Sequence, residues 1–522
     1  MSLYQADGTG IEGSNAKQSS LDATHASTQQ EWAPRIRHSQ ALITDLTDVF
    51  FEVIYPVFPI FHRPTLLRRV SRGEHTIDRA FYAAVAAMCA LSSARARDGA
   101  LYNPAWNMES LKEPSSESFF AAAEEALPKD AVLTQRLGYM QSCVLLAITS
   151  IQYGNSTKTQ FYLNMYHSFV AVGALHDEEE WPRGLNAIEV EERRRLFWST
   201  YTLDIFASII WKKVARGGES TFNVCYPSDG DDAFHDIGYS SSTDRRKEDT
   251  SSWLKGWNFV TDLYRILEHI LHLLGNHHPK SDRTPALCLP ICDGSHSKAG
   301  LLDHVMARYN QLPAIFKSTR PIAQKLSDDL FSFQAANIAA TVQLVRMVLF
   351  TIEGSTVDQQ CQVASEVLEV FANVPEAYLR AISSPLLHHL AGIGIMLGYA
   401  LHEGLSEPLY IRLRLVLLEL ATLIARLETG IHYSAGISDK LRVQVASIDT
   451  YWNSQKQRQA VQPSTMLRSA FPTEQQQLTV GTMQQALPST GSTEDASIEY
   501  QSSHVYFPPE ILDSWSRIFD LT

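Results

Sequence analysis

The stretch Glu191-Glu192-Arg193-Arg194-Arg195-Leu196-Phe197-Trp198-Ser199-Thr200-Tyr201-Thr202-Leu203-Asp204 opens as a charged helical turn and then becomes apolar, and the apolar run continues to Trp211. Nearly every face of such a helix is apolar, which places it inside a large helical protein rather than on its surface. Asp204 interrupts the run. A buried carboxylate is costly to desolvate and needs an ionic or hydrogen-bonded partner. Arg193 shares roughly its face but lies about three turns away, so the partner is expected from another helix. A structural ion pair is the simplest use of such a residue.

The composition surrounding this helix bounds the class. The chain has 522 residues, 45% hydrophobic and 10% aromatic, enough for a large core. Length alone suggests about three domains. The formal net charge of -13 argues against a nucleic-acid-binding chain, since phosphate binding needs a basic surface. Six cysteines are scattered at 89, 143, 225, 288, 292 and 361, and residues 1–30 are polar without an apolar core segment. A reduced, intracellular protein is therefore expected. The longest uncharged apolar run, 390–401, is too short for a bilayer span and contains Gly392, Gly394 and Gly398, as suits a packed helix.

Residues 1–38 are rich in Ser, Gln, Thr, Gly and Ala and read as a disordered arm. Gly8, Gly10 and Gly13 match a dinucleotide fingerprint only formally, since no strand precedes and no helix follows. From Ser39 the pattern is helical: Leu42, Leu46, Val49, Phe50 and Val53 recur at helical spacing, and the helix is expected to end near Tyr55-Pro56. Further helices are predicted over 80–97, 119–127 (with Ser118 as its cap), 133–153, 161–175, 191–211, 253–274, 301–312, 331–351, 362–371, 377–382, 385–402 and 408–427. Strand-like alternation is almost absent. The spacing predicts an all-α protein with a helical body over 39–453. Beyond Trp452 periodicity fades, and 454–522 reads as a mostly disordered tail rich in Gln, Ser, Thr and Pro. It ends in an acidic-aromatic segment, 505–521. That segment suits folding on a partner, as acidic activation segments do, or docking back on its own core.

Two motifs carry a resemblance. Glu189, Glu191, Arg193, Arg194, Arg195, Leu196, Phe197, Trp198, Tyr201 and Asp204 spell E-x-E-x-R-R-R-L-F-W-x-x-Y-x-x-D. The compact turn Tyr55-Pro56-Val57-Phe58-Pro59-Ile60-Phe61-His62-Arg63-Pro64-Thr65 spells Y-x-x-x-F-P-I-x-H-x-P-T. Together with Gly173-Ala174-Leu175-His176-Asp177 and the Leu312-Pro313 helix end, this ordered set resembles the fungal-specific transcription factor domain, the middle homology region of zinc-cluster regulators. The resemblance covers roughly residues 40–450. It departs from the family pattern at Ala174, which separates Gly173 from Leu175, and after Arg216, where the family has a proline. It implies a nuclear, all-helical regulatory domain that can sense a small effector, and a role in controlling a metabolic gene cluster. The implied partners are the transcription machinery or a related regulator in a homo- or heterodimer. The signature residues Pro59, His62, Pro64, Arg194, Arg195, Phe197, Trp198, Tyr201 and Asp204 are read as structural.

The DNA-reading module of that family wraps two zinc ions in cysteines spaced C-x2-C-x6-C. No two cysteines here have that spacing, so DNA is expected to be reached only indirectly, or through a module missing from this chain. Cys288 and Cys292 with His277, His278 and His296 make a weak zinc candidate, and anchoring a loop is the simpler use. Arg193–Arg195 are expected to pack or pair with Glu189, Glu191 and Glu192, and Arg245-Arg246-Lys247 to be a solvated loop. His62 has no Cys, Asp or Glu at ligand spacing, so it is read as a hydrogen-bonded turn histidine. No nucleophile elbow, H-E-x-x-H helix or phosphate loop is present. The reading is therefore a non-enzymatic regulator without cofactor, metal site or membrane span. A partner or inhibitor of a full-length regulator is the alternative. A third reading is a core pocket lined by Trp198, Tyr201, Phe206 and Trp211, with Asp204 and His62 as its reactive groups.

Overall fold

The computed structural model describes residues 34, 38–129, 136–211, 222–228, 232, 252–275, 298–323, 326–352, 356–382, 384–398, 406–433 and 436–461. Among these the chain forms fifteen α-helices and a few 3-10 turns, with no strand beyond an isolated bridge between Asp177 and Asn223. The expected all-α architecture is what forms.

The first seven helices make one layered unit: α1 (Gln40–Val53), α2 (Arg63–Ser71), α3 (Arg79–Arg97), α4 (Ser116–Ala126), α5 (Leu137–Gln152), α6 (Ser156–Gly173) and α7 (Ala187–Trp211). At its centre lies α3, which packs on α1, α4 and α5. Every residue from Ala80 to Ala96 is buried. Its alanines Ala83, Ala84, Ala86, Ala87 and Ala90 let neighbouring helices approach closely. A close approach is at Gly138 of α5, where a Cβ would lie 2.6 Å from the Ala80 carbonyl oxygen. The Asp78 side chain caps α3 by accepting from the Ala80 and Phe81 N–H groups.

The remaining helices are α8 (Leu254–Gly275), α9 (Lys298–Gln311), α10 (Leu326–Ile352), α11 (Val357–Ala372), α12 (Glu376–Ile382), α13 (Ser384–Gly398), α14 (Glu407–Glu428) and α15 (Ile437–Val461). The link to the first unit runs through α8, which packs on both α7 and α10, and through α13, which touches α5. Beyond α10 lie α11 and α13, and α14 packs on both before pairing with α15. The apolar residues form one continuous core from Leu42 to Ile448. No described helix is long and apolar enough to cross a membrane.

Several boundaries differ from the periodicity. The cap position of α4 is Ser115, not Ser118, because Ser116 is itself buried, its hydroxyl donating to the Ala90 carbonyl at 2.6 Å. One turn before the first apolar repeat, α6 begins where Asn155 accepts from the Lys158 N–H. A reciprocal box of Thr356 and Gln359 starts α11, also ahead of its apolar residues. Continuing past Trp452 to Val461, α15 has a polar last stretch tied down by Lys456 and Glu407 at 2.9 Å rather than by an apolar stripe. The expectations for 1–33, for the loops holding Arg245 and Cys288, and for 462–522 lie outside the described residues.

Candidate functional site

The signature helix α7 starts at a reciprocal cap. The Asn186 N–H donates to Glu189, and the Glu189 N–H donates back to the Asn186 side chain, each at 2.9 Å. Arg193, Arg194 and Arg195 follow, and their side chains diverge.

Arg195 points into the core and is fully buried. Its Nη1 donates to Asp232 Oδ1 at 2.6 Å. The other Asp232 oxygen accepts from the Tyr55 hydroxyl at 2.6 Å and from the Arg63 N–H at 2.9 Å. Burial pushes the Asp232 carboxyl up, but Arg195, the Tyr55 hydroxyl and the Arg63 N–H outweigh it and hold the group below the usual carboxylate range. His62 is also buried and faces the same residue, with Nε2 2.9 Å from the Asp232 carbonyl. A carbonyl only accepts, so Nε2 carries the proton, while Nδ1 pairs with the Thr65 hydroxyl at 2.8 Å. The His62 N–H donates to Glu192 at 2.8 Å. Burial drives the Glu192 carboxyl up to about 7, against the pull of the His62 N–H, Arg195 and Arg69. Pro59 is buried inside this turn, and Pro64 sits in the first turn of α2, where its missing N–H costs nothing.

Arg194 turns the other way. It grips Glu178 with two bonds of 2.8 Å and reaches Glu191 at 3.2 Å. Both carboxylates also accept backbone N–H groups of residues 222–228, Glu178 from Cys225 at 2.7 Å and Glu191 from Ser228 at 2.9 Å. The Trp198 indole donates to the Cys225 carbonyl at 2.9 Å. The Phe197 ring packs edge-on to Phe222, and the Trp198 ring lies 4.6 Å from Tyr226. The Tyr201 hydroxyl donates to Glu268 of α8 at 2.5 Å. Asp204, less than one turn beyond Tyr201 on α7, pairs with His167 Nε2 of α6 at 2.5 Å. Among the described residues Arg193 donates to the Glu189 carbonyl of its own helix at 3.0 Å.

The signature residues therefore form a polar clamp. One side joins α7 to the turn after α1 and to Asp232; the other straps residues 222–228 across α7. Glu191 is a partner of Arg194, as the charge pattern suggested, but Arg195 pairs with Asp232 rather than with a glutamate of its own helix. Sequence reasoning did not identify Asp232, Tyr55, Glu178 or Glu268 as partners of the signature residues. The usable signal was Arg195 itself: an arginine at the edge of an apolar run demands a remote counter-charge, and the acidic run 229–232 is a nearby source.

Both His62 nitrogens are engaged. Trp198 and Tyr201 are spent on packing and hydrogen bonds, and the pairs holding His62 and Asp204 are separate. Beside Phe206 of α7, burial pushes His389 down to about 3, with His388 adding to the effect. Among the described residues no group of His, Cys, Asp and Glu is arranged to hold a metal ion. The cysteine and histidine candidates at 277–296 lie outside them.

The chain matches the fungal specific transcription factor domain over residues 47–308. That span contains both sides of the clamp. The chain is similar to the transcriptional activator protein acu-15 of Neurospora crassa, 23% identical over 200 residues, which cover 35% of this chain and 19% of that protein. No solved structure matches. With the domain matched over half of its length, from the first helix through α9, the protein belongs to the fungal-specific transcription factor domain family.

Proposed function

We propose that this chain is a transcription regulator acting in the nucleus, with the helical body as its regulatory unit. The observation that carries the reading is the domain match, and the clamp adds support. The signature residues are spent on joining α7, the turn before α2 and residues 222–228, as suits a body that transmits a state rather than turning over a substrate. Contact with DNA is assigned to a partner chain or to a zinc-cluster module outside these 522 residues, since the chain carries a formal charge of -13 and no C-x2-C-x6-C spacing. The acidic-aromatic segment 505–521 is the proposed contact with the transcription machinery.

The test is to fuse the full chain to an unrelated DNA-binding module in a fungal host and measure a reporter, with a fluorescent fusion scored for nuclear accumulation. Activation or repression relative to the module alone is expected, with nuclear signal. An unchanged reporter together with nuclear exclusion overturns the reading. Residues 453–522 fused alone test the tail assignment, which fails if they do not activate.

A further inference from the structure

The run Arg68-Arg69-Val70-Ser71-Arg72 closes α2. It is the only place in the chain where two adjacent arginines are followed, with one residue between, by a serine or threonine. Serine kinases whose substrate groove is lined with carboxylates select arginines at those two positions, because each guanidinium pairs with a carboxylate there. The acceptor lies within reach. Ser71 is exposed as the last residue of α2, and Arg68 and Arg72 to either side of it are exposed as well. Such kinases take their substrate extended, so the last turn of α2 has to open. The helix has nine residues with only Leu66 and Val70 buried, and Gly73, at φ of 67°, follows its end. Short helices fray from their ends. Opening also releases Arg69 from Glu74, 2.8 Å away, and from the face of the Phe81 ring.

The surroundings of Ser71 determine what a phosphate does there. Its Oγ donates to the Arg68 carbonyl at 2.9 Å. Once phosphorylated, that oxygen has no proton to give. It then carries close to two negative charges at the end of a helix, where the last carbonyls already make the potential negative. Relief comes from Arg68, one turn back on the same face, and from Arg72. Arg72 meets Glu74 at a loose 3.9 Å. Arg68 donates to the Thr65 hydroxyl at 3.2 Å, and Thr65 pairs in turn with His62 Nδ1 at 2.8 Å. A phosphate that draws Arg68 to itself therefore removes a donor one bond away from the clamp histidine.

We propose that Ser71 is the phosphoacceptor of a serine kinase that reads paired arginines, and that its phosphate loosens α2 from the clamp through Arg68. The Ser71 oxygen bonds to the γ-phosphorus of ATP as the bond to the β–γ bridging oxygen breaks. The hydroxyl proton goes to the carboxylate base of the kinase, and ADP leaves. This goes beyond the regulatory reading and does not rest on it. The test treats the full, folded chain with Mg-ATP and the catalytic subunit of a cyclic-nucleotide-dependent serine kinase, and maps phosphate by mass spectrometry. Phosphate is expected on Ser71, lost in Ser71→Ala and kept when Ser71→Thr retains a hydroxyl. Arg68→Ala should slow its incorporation about tenfold. Amide exchange over residues 62–72 should be faster in the phosphorylated chain than in the unmodified one, with α14 unchanged as the control. A folded chain that takes up no phosphate, phosphate that persists undiminished in Ser71→Ala, or exchange over 62–72 that phosphorylation leaves unaltered would each overturn the proposal.

Discussion

Arg195 Nη1 lies 2.6 Å from Asp232 Oδ1, with no solvent on the arginine side chain and almost none on the aspartate. Among the described residues, Arg195 Nε and Nη2 have no hydrogen-bond partner. A buried ion pair of this kind contributes little over a well-packed neutral pair, yet is costly to break from one side. Arg195→Met should therefore lower unfolding stability by about 3–5 kcal/mol, because it strands the Asp232 charge. Arg195→Met with Asp232→Asn should recover much of the loss, since Asn still accepts from Tyr55 and Arg63. Urea unfolding of both variants checks this; a double variant as unstable as the single one would show that the charge is not what matters.

Glu192 gives the clamp a pH dependence of known sign. Its carboxyl rises from about 4.5 to about 7 on folding, so between those values the folded protein holds a proton that the unfolded chain has released. Stability from this group is fully present below about 4.5 and declines as pH rises to about 7. Glu192→Gln keeps an acceptor for the His62 N–H and removes the titration. The variant should match the natural protein at low pH and exceed it by about 1–2 kcal/mol above neutrality, after discounting for partial exposure. Unfolding midpoints of both proteins across that range give the difference directly, and a difference that does not change with pH would refute the assignment.

Gly138 of α5 lies against the backbone of α3. Its added Cβ would meet the Ala80 carbonyl oxygen at 2.6 Å, and backbone cannot swing aside as a side-chain tip can. Gly138→Ala should cost about 1–3 kcal/mol despite the better helix propensity of alanine. A thermal melt that moves upward would mean that α3 and α5 slide apart freely.

Ala174 ends α6 in the left-handed region, with φ of 49°. A residue with a Cβ pays roughly 1–2 kcal/mol there, which glycine avoids. Glycine also frees the unfolded chain, so Ala174→Gly should gain only about 0.5–1 kcal/mol. Equilibrium unfolding checks the gain.

The helices were legible where one face repeats apolar residues, as in α1, or where nearly the whole run is apolar or small, as in α3. They were not legible where a polar cap opens the helix, as at Asn155 and Thr356, or where ion pairs replace packing, as at the end of α15. The site divided in the same way. Pro59, His62, Pro64 and the residues from Arg194 to Asp204 stood out by type and order. Their partners did not, because a counter-charge leaves no periodic mark on the chain that carries it.

Local rules acting along the chain were enough to determine an all-helical body, the interior position of α7, and the need of Asp204 and Arg195 for remote partners. Helical periodicity and the cost of desolvating charge both operate on what the sequence displays. Which acid meets which arginine was decided only by tertiary structure. His167 for Asp204, Asp232 for Arg195 and Glu178 for Arg194 come from segments brought together when the apolar faces are buried, and electrostatic pairing depends on distance in space rather than along the chain.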